Sequence, residues 1–506
     1  DAQESRGLGD VYKRQDDEAA LIVDNELSDY KAKIIDKKIY VDYKFVHDSL
    51  NSRFYWDANE NVLLYTTASD IISAAADSNS YSVTKQTNDF GYPIVKATSD
   101  SALIALDYVK QYSNITFKSY DDPARIVITS KWDEIDSATV SKSTQIRVKG
   151  GIKSPILKEV KKDDKITILD SGDKWDKVAT EDGVIGYIKR KALSESKKTK
   201  LTNPDYEEET FTHIKKDKDI CLAWNQVTSQ SANSKVPQVI SSTKGINVMS
   251  PTWFYLNDNN GNLADIASKD YVSYCHSQGI EVWGLFSNFE NTDVDAAYVL
   301  THTSTRTTLI NQIMSAAFNY ELDGVNIDFE NITGAAYGDS YIEFIRELAI
   351  KCHNNGISLS VDVTVPASFN KFFNRSDMAN FADYIVIMGY DEHYKGSDAG
   401  SVSSIPWVTE GVESTLKEVP ADQIILGMPF YTRIWELTPK EDDDAVTDTE
   451  DQSKYTVASQ VYSMDAAAAQ LATNNATAAL DEESGQNYAE WSVSNKLYKV
   501  WLEDNT

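Results

Sequence analysis

At 506 residues the chain is too long for one ordinary domain, and two to four are expected. Its 49 Lys+Arg against 78 Asp+Glu give a net charge of −29, which works against any broad attraction to nucleic acid or anionic lipid. No apolar run approaches the ~20 residues that cross a bilayer, and Cys221, Cys275 and Cys352 are too far apart for a disulfide framework or a metal cluster. They read as buried free thiols, and nothing calls for a metal or a cofactor.

Residues 1–15, DAQESRGLGDVYKRQ, show no periodicity and read as sequence foreign to the fold. No export signal is present in this chain. From about residue 30 to 132 there is an internal repeat: residues 39–67 align without gaps on 102–130, matching Val46 with Val109, Asn51 with Asn114, Phe54 with Phe117 and Thr66 with Thr129. Each copy predicts a strand, a helix and a hairpin. The repeat resembles the small α+β unit at the N-terminus of copper amine oxidases, here without copper ligands, since His47 is its one histidine. That implies an accessory or binding module. Residues 143–193 hold four or five short alternating runs punctuated by Gly and Asp. Their order resembles a bacterial Src-homology-3-like all-β barrel, with Trp175 and Tyr187 in or near its core and cell-wall attachment as one implied role. A polar linker, 194–211, interrupted by Pro204, follows.

From 212 to 506 apolar strand-like runs alternate with amphipathic stretches. In RTTLINQIMSAAFNY, Leu309, Ile313, Ala316, Ala317 and Tyr320 share one helical face. Repeated strand–helix units without a Gly-rich phosphate loop predict a (β/α) barrel rather than a doubly wound sheet. In DGVNIDFE, alternation sends Val325, Ile327 and Phe329 to one side and Asn326, Asp328 and Glu330 to the other. Glu330 falls at the strand's C-terminal end, where barrel enzymes place their chemistry. Two carboxylates on one face can share a proton, and a dry cleft raises the pKa of an acid that must stay protonated.

This run resembles the DxxDxDxE signature of glycoside hydrolase family 18, the chitinase and N-acetylglucosaminidase group, closest to its spore-cortex and peptidoglycan hydrolases. IVIMGYDEH (385–393) and ILGMPFYTRIW (425–435) resemble the family's sixth and seventh strands. The resemblance implies a (β/α)8 barrel and a retaining, substrate-assisted glycosidase. Glu330 would be the acid, Asp328 would orient the 2-acetamido group, and Tyr390 would bind its carbonyl. Asp391, Met388 and Asn326 would line the sugar site, with Tyr431, Trp283 and Trp253 as candidates for stacking. Asn326 stands where chitinases carry an inward Asp, removing one partner for Asp328. The eighth strand, with its sugar-flooring Trp, is expected to be missing, so the barrel reads as truncated and the chain as a fragment. Trp491 and Trp501 fall in an insertion after the seventh strand. The acidic run 441–451 lacks the ligand spacing of a calcium loop and reads as solvated. The implied partner is GlcNAc-containing polysaccharide, peptidoglycan before chitin, met outside the cell or at its surface. The alternative is a non-catalytic carbohydrate-binding wall protein of the same fold.

Overall fold

The computed structural model describes residues 17–440 and 450–506. Residues 1–15, read from the sequence as foreign to the fold, and most of the acidic run lie outside the described residues. The chain divides into two compact units, one ending at Thr210 and the other starting at Phe211.

In the N-terminal unit both repeat copies form the expected local elements. The first has a strand at Lys38–Asp42, a helical stretch from Tyr43 to Leu50 and the hairpin Tyr55–Asp57/Val62–Thr66. The second has Ala102–Ala105, the helix Leu106–Tyr112 and the hairpin Thr116–Tyr120/Arg125–Thr129. Asn51 ties them together, its Nδ2 donating to the Tyr112 carbonyl (3.2 Å) and to Ser113 Oγ (2.9 Å). Both expected boundaries move, however. The sheet of the repeat includes the hairpin Glu18–Val23/Glu26–Ile35, whose first strand runs parallel to Arg125–Thr129, so this fold begins near residue 18 rather than 30. The all-β module likewise extends beyond 143–193: Glu134–Thr139 and Lys197–Lys200 pair with each other and complete its seven-stranded sheet. Four residues of the expected linker are therefore a strand. Trp175 and Tyr187 are half-buried, whereas the buried core of the module is built from Val140, Ile146, Val160, Ile166, Val178, Val184 and Ile188.

The C-terminal unit is built on seven parallel strands in sequential order. They are β1 (Leu222–Asn225), β2 (Val248–Pro251), β3 (Glu281–Ser287), β4 (Gly324–Asp328), β5 (Ser358–Thr364), β6 (Tyr384–Met388) and β7 (Ile424–Gly427). Helical segments join each strand to the next, the longest being Thr303–Asn319 and Ala335–Asn354. Leu309, Ile313, Ala316 and Ala317 are buried as their periodicity predicts, while Tyr320 is half-buried and donates to Asp265 (2.7 Å). The Trp224 side chain of the first strand reaches the seventh, since a Cβ on Gly427 would come within 2.8 Å of its ring. After β7 the chain forms a five-stranded antiparallel insertion sheet with the helix Met464–Thr473. Trp491 and Trp501 are both in this sheet.

One device occurs twice at the strands' N-terminal ends. The helix before β3 ends Cys275-His276-Ser277-Gln278-Gly279-Ile280, and the helix before β5 ends Cys352-His353-Asn354-Asn355-Gly356-Ile357. Both glycines take positive φ, +72° and +68°, in the manner of a C-terminal cap. His276 bonds Asp323 (2.7 Å), whose Oδ2 also accepts from the Val282 amide (2.8 Å). His353 bonds Asp383 (2.9 Å), which accepts from the Leu359 amide (2.7 Å) and the Ile214 amide (2.7 Å). Each aspartate thus fixes the start of one strand against its neighbour.

The cysteines differ from expectation in one case. Cys275 and Cys352 are buried free thiols, but Cys221, immediately before β1, is exposed.

Candidate active site

Strand β4 is buried on both sides, and its alternation sorts the side chains as the sequence predicts. Val325 and Ile327 are fully buried on the helix side, and Phe329 stacks on Tyr341 (6.0 Å) and Phe344 (5.4 Å) of the helix Ala335–Asn354. The opposite face points Asn326, Asp328 and Glu330 into the barrel.

Asn326 is not free to meet a ligand. It is fully buried: Trp224 Nε1 (3.0 Å) and Ser250 Oγ (3.3 Å) donate to its Oδ1, while its Nδ2 donates to Ser360 Oγ (2.9 Å) and Asp362 Oδ1 (2.7 Å). All of its hydrogen-bonding capacity is used inside the barrel, which corrects its assignment to the sugar site. Asp362, on β5, places a buried carboxylate against Asn326. Burial pushes its pKa well above the usual carboxylate range, and the charge of Asp328 adds to the effect.

Asp328 and Glu330 interact through their side chains. Burial first, then the charge of Glu330, pushes Asp328 up to about 8. Burial also raises Glu330, and the charge of Asp391 adds to it while the hydrogen bond with Asp328 opposes it. The pair therefore holds a proton at neutral pH. Tyr390 is half-buried beside them: its hydroxyl is raised by burial and then by the charges of Asp362, Asp328 and Glu330. Its ring meets Trp224 edge-on at 6.3 Å and Tyr431 at 6.2 Å. Tyr431 donates to Asp391, linking the insertion sheet to the loop after β6. Met388 ends β6, half-buried and in register with Thr364 and Gly427.

The residues after both central groups adopt left-handed backbone, Asn331 (φ 58°) after Glu330 and Asp391 (φ 61°) after Tyr390. Asn and Asp tolerate this conformation best among residues with a side chain, and it turns the chain sharply off the strand end.

The stacking candidates Trp283 and Trp253 do not reach this group. Trp283 is fully buried at the start of β3, packed on Val248 and Tyr384 at the opposite end of the strands from Glu330. Trp253 is fully buried against Tyr271, with its Nε1 bonded to Asn233 (2.7 Å). Both are core residues.

Two further contributors follow β3. Glu290 places its charge near Asp328. Asn288, nearly buried, grips the main chain of Glu330 at two points: its Oδ1 accepts from the Glu330 amide (2.8 Å) and its Nδ2 donates to the Glu330 carbonyl (2.9 Å). Nothing in its local pattern marks it, whereas Asp362 is readable from the alternation of ISLSVDVT. Among the described residues no group of His, Cys, Asp or Glu is arranged to hold a metal ion, and no helix is long and apolar enough to cross a membrane.

Residues 275–505 match the family Glycosyl hydrolases family 18. That match lies within the C-terminal unit, which starts at Phe211. Over 194 residues the chain is 25% identical to the uncharacterized glycosylase YvbX of Bacillus subtilis, covering 36% of this chain and 55% of that protein. It is 24% identical over 255 residues to the cortical fragment-lytic enzyme of the same organism, covering 48% and 56%. The chain thus spans about half the length of these curated relatives. Among solved structures, a chitinase from Chromobacterium violaceum aligns at a TM-score of 0.48 with 19% identity, over 56% of this chain and 86% of that one. The family 18 match includes Asp328, Glu330, Asp362, Tyr390 and the insertion sheet.

Proposed function

We propose that the family 18 domain hydrolyses β-linked GlcNAc-containing polymer with retention of configuration, using the substrate's own 2-acetamido group as nucleophile. The observation that carries this reading is the proton-sharing pair Asp328–Glu330 at the end of β4, with Tyr390 beside it. A glycosidic oxygen leaves poorly as an alkoxide, so a carboxylic acid must protonate it, and Glu330 is the less buried member at the strand's open end. As that proton transfers, Asp328 holds the acetamido N–H so that its carbonyl oxygen attacks the anomeric carbon. The Tyr390 hydroxyl donates to that oxygen and steadies the developing oxazolinium charge distribution. Glu330, now a carboxylate, then takes a proton from the water that opens the ring. Asp391, Tyr431 and Met388 line the sugar site at the ends of β6 and β7.

Peptidoglycan is favoured over chitin. A relative is named for lysis of cortical fragments, and the N-terminal unit is read as accessory modules that attach the protein to the wall, with action outside the cell membrane.

The test is release of reducing ends from purified peptidoglycan and from chitin by the chain and by Glu330→Gln. The variant is expected to lose about 10²–10⁴-fold in kcat while still binding oligosaccharide. Unchanged turnover would rule out Glu330 as the acid, and binding without turnover in the unmutated chain would favour the carbohydrate-binding alternative. Because the pair works only while it holds its proton, kcat/KM is expected to fall as pH rises through about 8, the value to which Asp328 is pushed.

A further inference from the structure

Alternation along Tyr431–Pro439 separates the two faces of the insertion sheet. Tyr431 and Trp435 turn toward the loop after β6, where Tyr431 meets Asp391 and Trp435 Nε1 donates to the Gly400 carbonyl (2.9 Å). Ile434 and Glu436 turn the other way, to the face on which the helix Met464–Thr473 lies with Leu471 against Ile434. That helix covers only part of the face. Beyond it, four residues in register cross four strands in one row: Trp491, Tyr498, Glu436 and Ala458.

Side-chain size falls along this row. The Trp491 and Tyr498 rings are parallel within 5°, with centroids 5.6 Å apart, and both are half-buried. The pairing of the outermost strand, Ala479–Asp481, reaches only to Tyr488, so it does not extend to Trp491. The step down to the Ala458 methyl opens a cleft of about 420 Å³. Gln470 and Asn474, from the end of the helix, and Gln460 line it as well.

We propose that this cleft is a second, non-catalytic saccharide-binding site, on the sheet face turned away from the Tyr431–Asp391 contact. A pyranose presents a C–H face that packs on an aromatic ring and an edge of hydroxyl and amide groups that alternately donate and accept. Parallel rings beside three carboxamides and one carboxylate match both features. An apolar ligand would strip water from the carboxamides without replacing its hydrogen bonds. The site binds without cleaving. Glu436 accepts from Lys496 Nζ (2.8 Å) and the Tyr498 hydroxyl (2.9 Å), which hold its carboxyl below the usual range, so it has no proton to donate. It would hold one stretch of a polymer while another occupies the catalytic cleft. That the sugar is GlcNAc-based rests on the hydrolase reading above; that the cleft binds a saccharide does not.

Calorimetric titration of the Glu330→Gln chain with a β-1,4-linked GlcNAc tetramer tests this. Two sites per chain are expected, falling to one when Trp491→Ala is added. The polar pair Gln470→Ala/Asn474→Ala should remove the same site without touching a ring, and unchanged thermal melts would show that neither loss reflects misfolding. Two sites in every variant, or one site insensitive to Trp491 and the amides, would overturn the proposal. A lone site that Trp491→Ala abolishes would keep it and instead count against the catalytic cleft as a GlcNAc site.

Discussion

Asn288 shows how the acid is held without touching the chemistry. Its carboxamide is a planar donor–acceptor pair, like a peptide unit, and it engages the amide and carbonyl of Glu330 as one more rung of the β3–β4 ladder. Asn288→Ala is expected to lower kcat about 10–100-fold with KM little changed, because a displaced acid loses alignment while sugar contacts remain. Steady-state kinetics on soluble oligosaccharide would check this, and a matching rise in KM would argue against a positioning role. Asp328 makes a different prediction, about stability. Its carboxyl moves from an ordinary 3.8 up to about 8 on folding, so between those values the unfolded chain releases a proton that the folded one retains. Stability from this group is therefore greatest below about pH 4, falls as pH rises, and levels off above about 8. Asp328→Asn should raise the melting temperature at pH 8 and change it little at pH 4, as thermal melts across that range would show. Strand position and alternation mark Glu330 and Asp328 in the sequence, whereas Tyr390 is marked only by the resemblance of its strand to the family's sixth. Asn326 departs from the sugar-site expectation because alternation says which way a side chain points but not whether neighbours already fill its hydrogen bonds.

Strands with an apolar face announce themselves, and those without one do not. β6 is a continuous apolar run, β3 is one but for its ends, and β4 and β5 alternate apolar with small or acidic residues; all four are buried on both sides, and the sequence marks each of them. Lys197–Lys200 is four exposed polar residues, a strand only because Glu134–Ser137 offers it an edge, so it read as linker. Trp283 departs from expectation for a related reason: it lies on a barrel strand, but at the end away from the acids. There it packs so closely that a Cβ on Gly324 would come within 2.5 Å of its ring. Gly324→Ala should cost about 1–3 kcal/mol through overpacking, measurable by denaturant unfolding, and a neutral result would mean the indole can shift.

A net charge of −29 shapes what the two-unit chain can approach. Retention on uncharged chitin should change little between low and high salt. Retention on a wall preparation rich in phosphodiester polymer should rise as salt screens the repulsion. Sedimentation binding assays at two ionic strengths would separate these, and a fall with salt on both would point to a basic contact surface. The paired His–Asp locks bear on how the barrel can change over time. A strand that slipped by one residue would pull Asp323 or Asp383 off both its histidine and its amide, so each lock acts as a gauge that rejects misaligned neighbours. Both gauges sit at the strand beginnings, far from Glu330. The half of the barrel that checks alignment is thus separate from the half that meets sugar, and loops at the catalytic end are free to drift toward new polymers without loosening the frame.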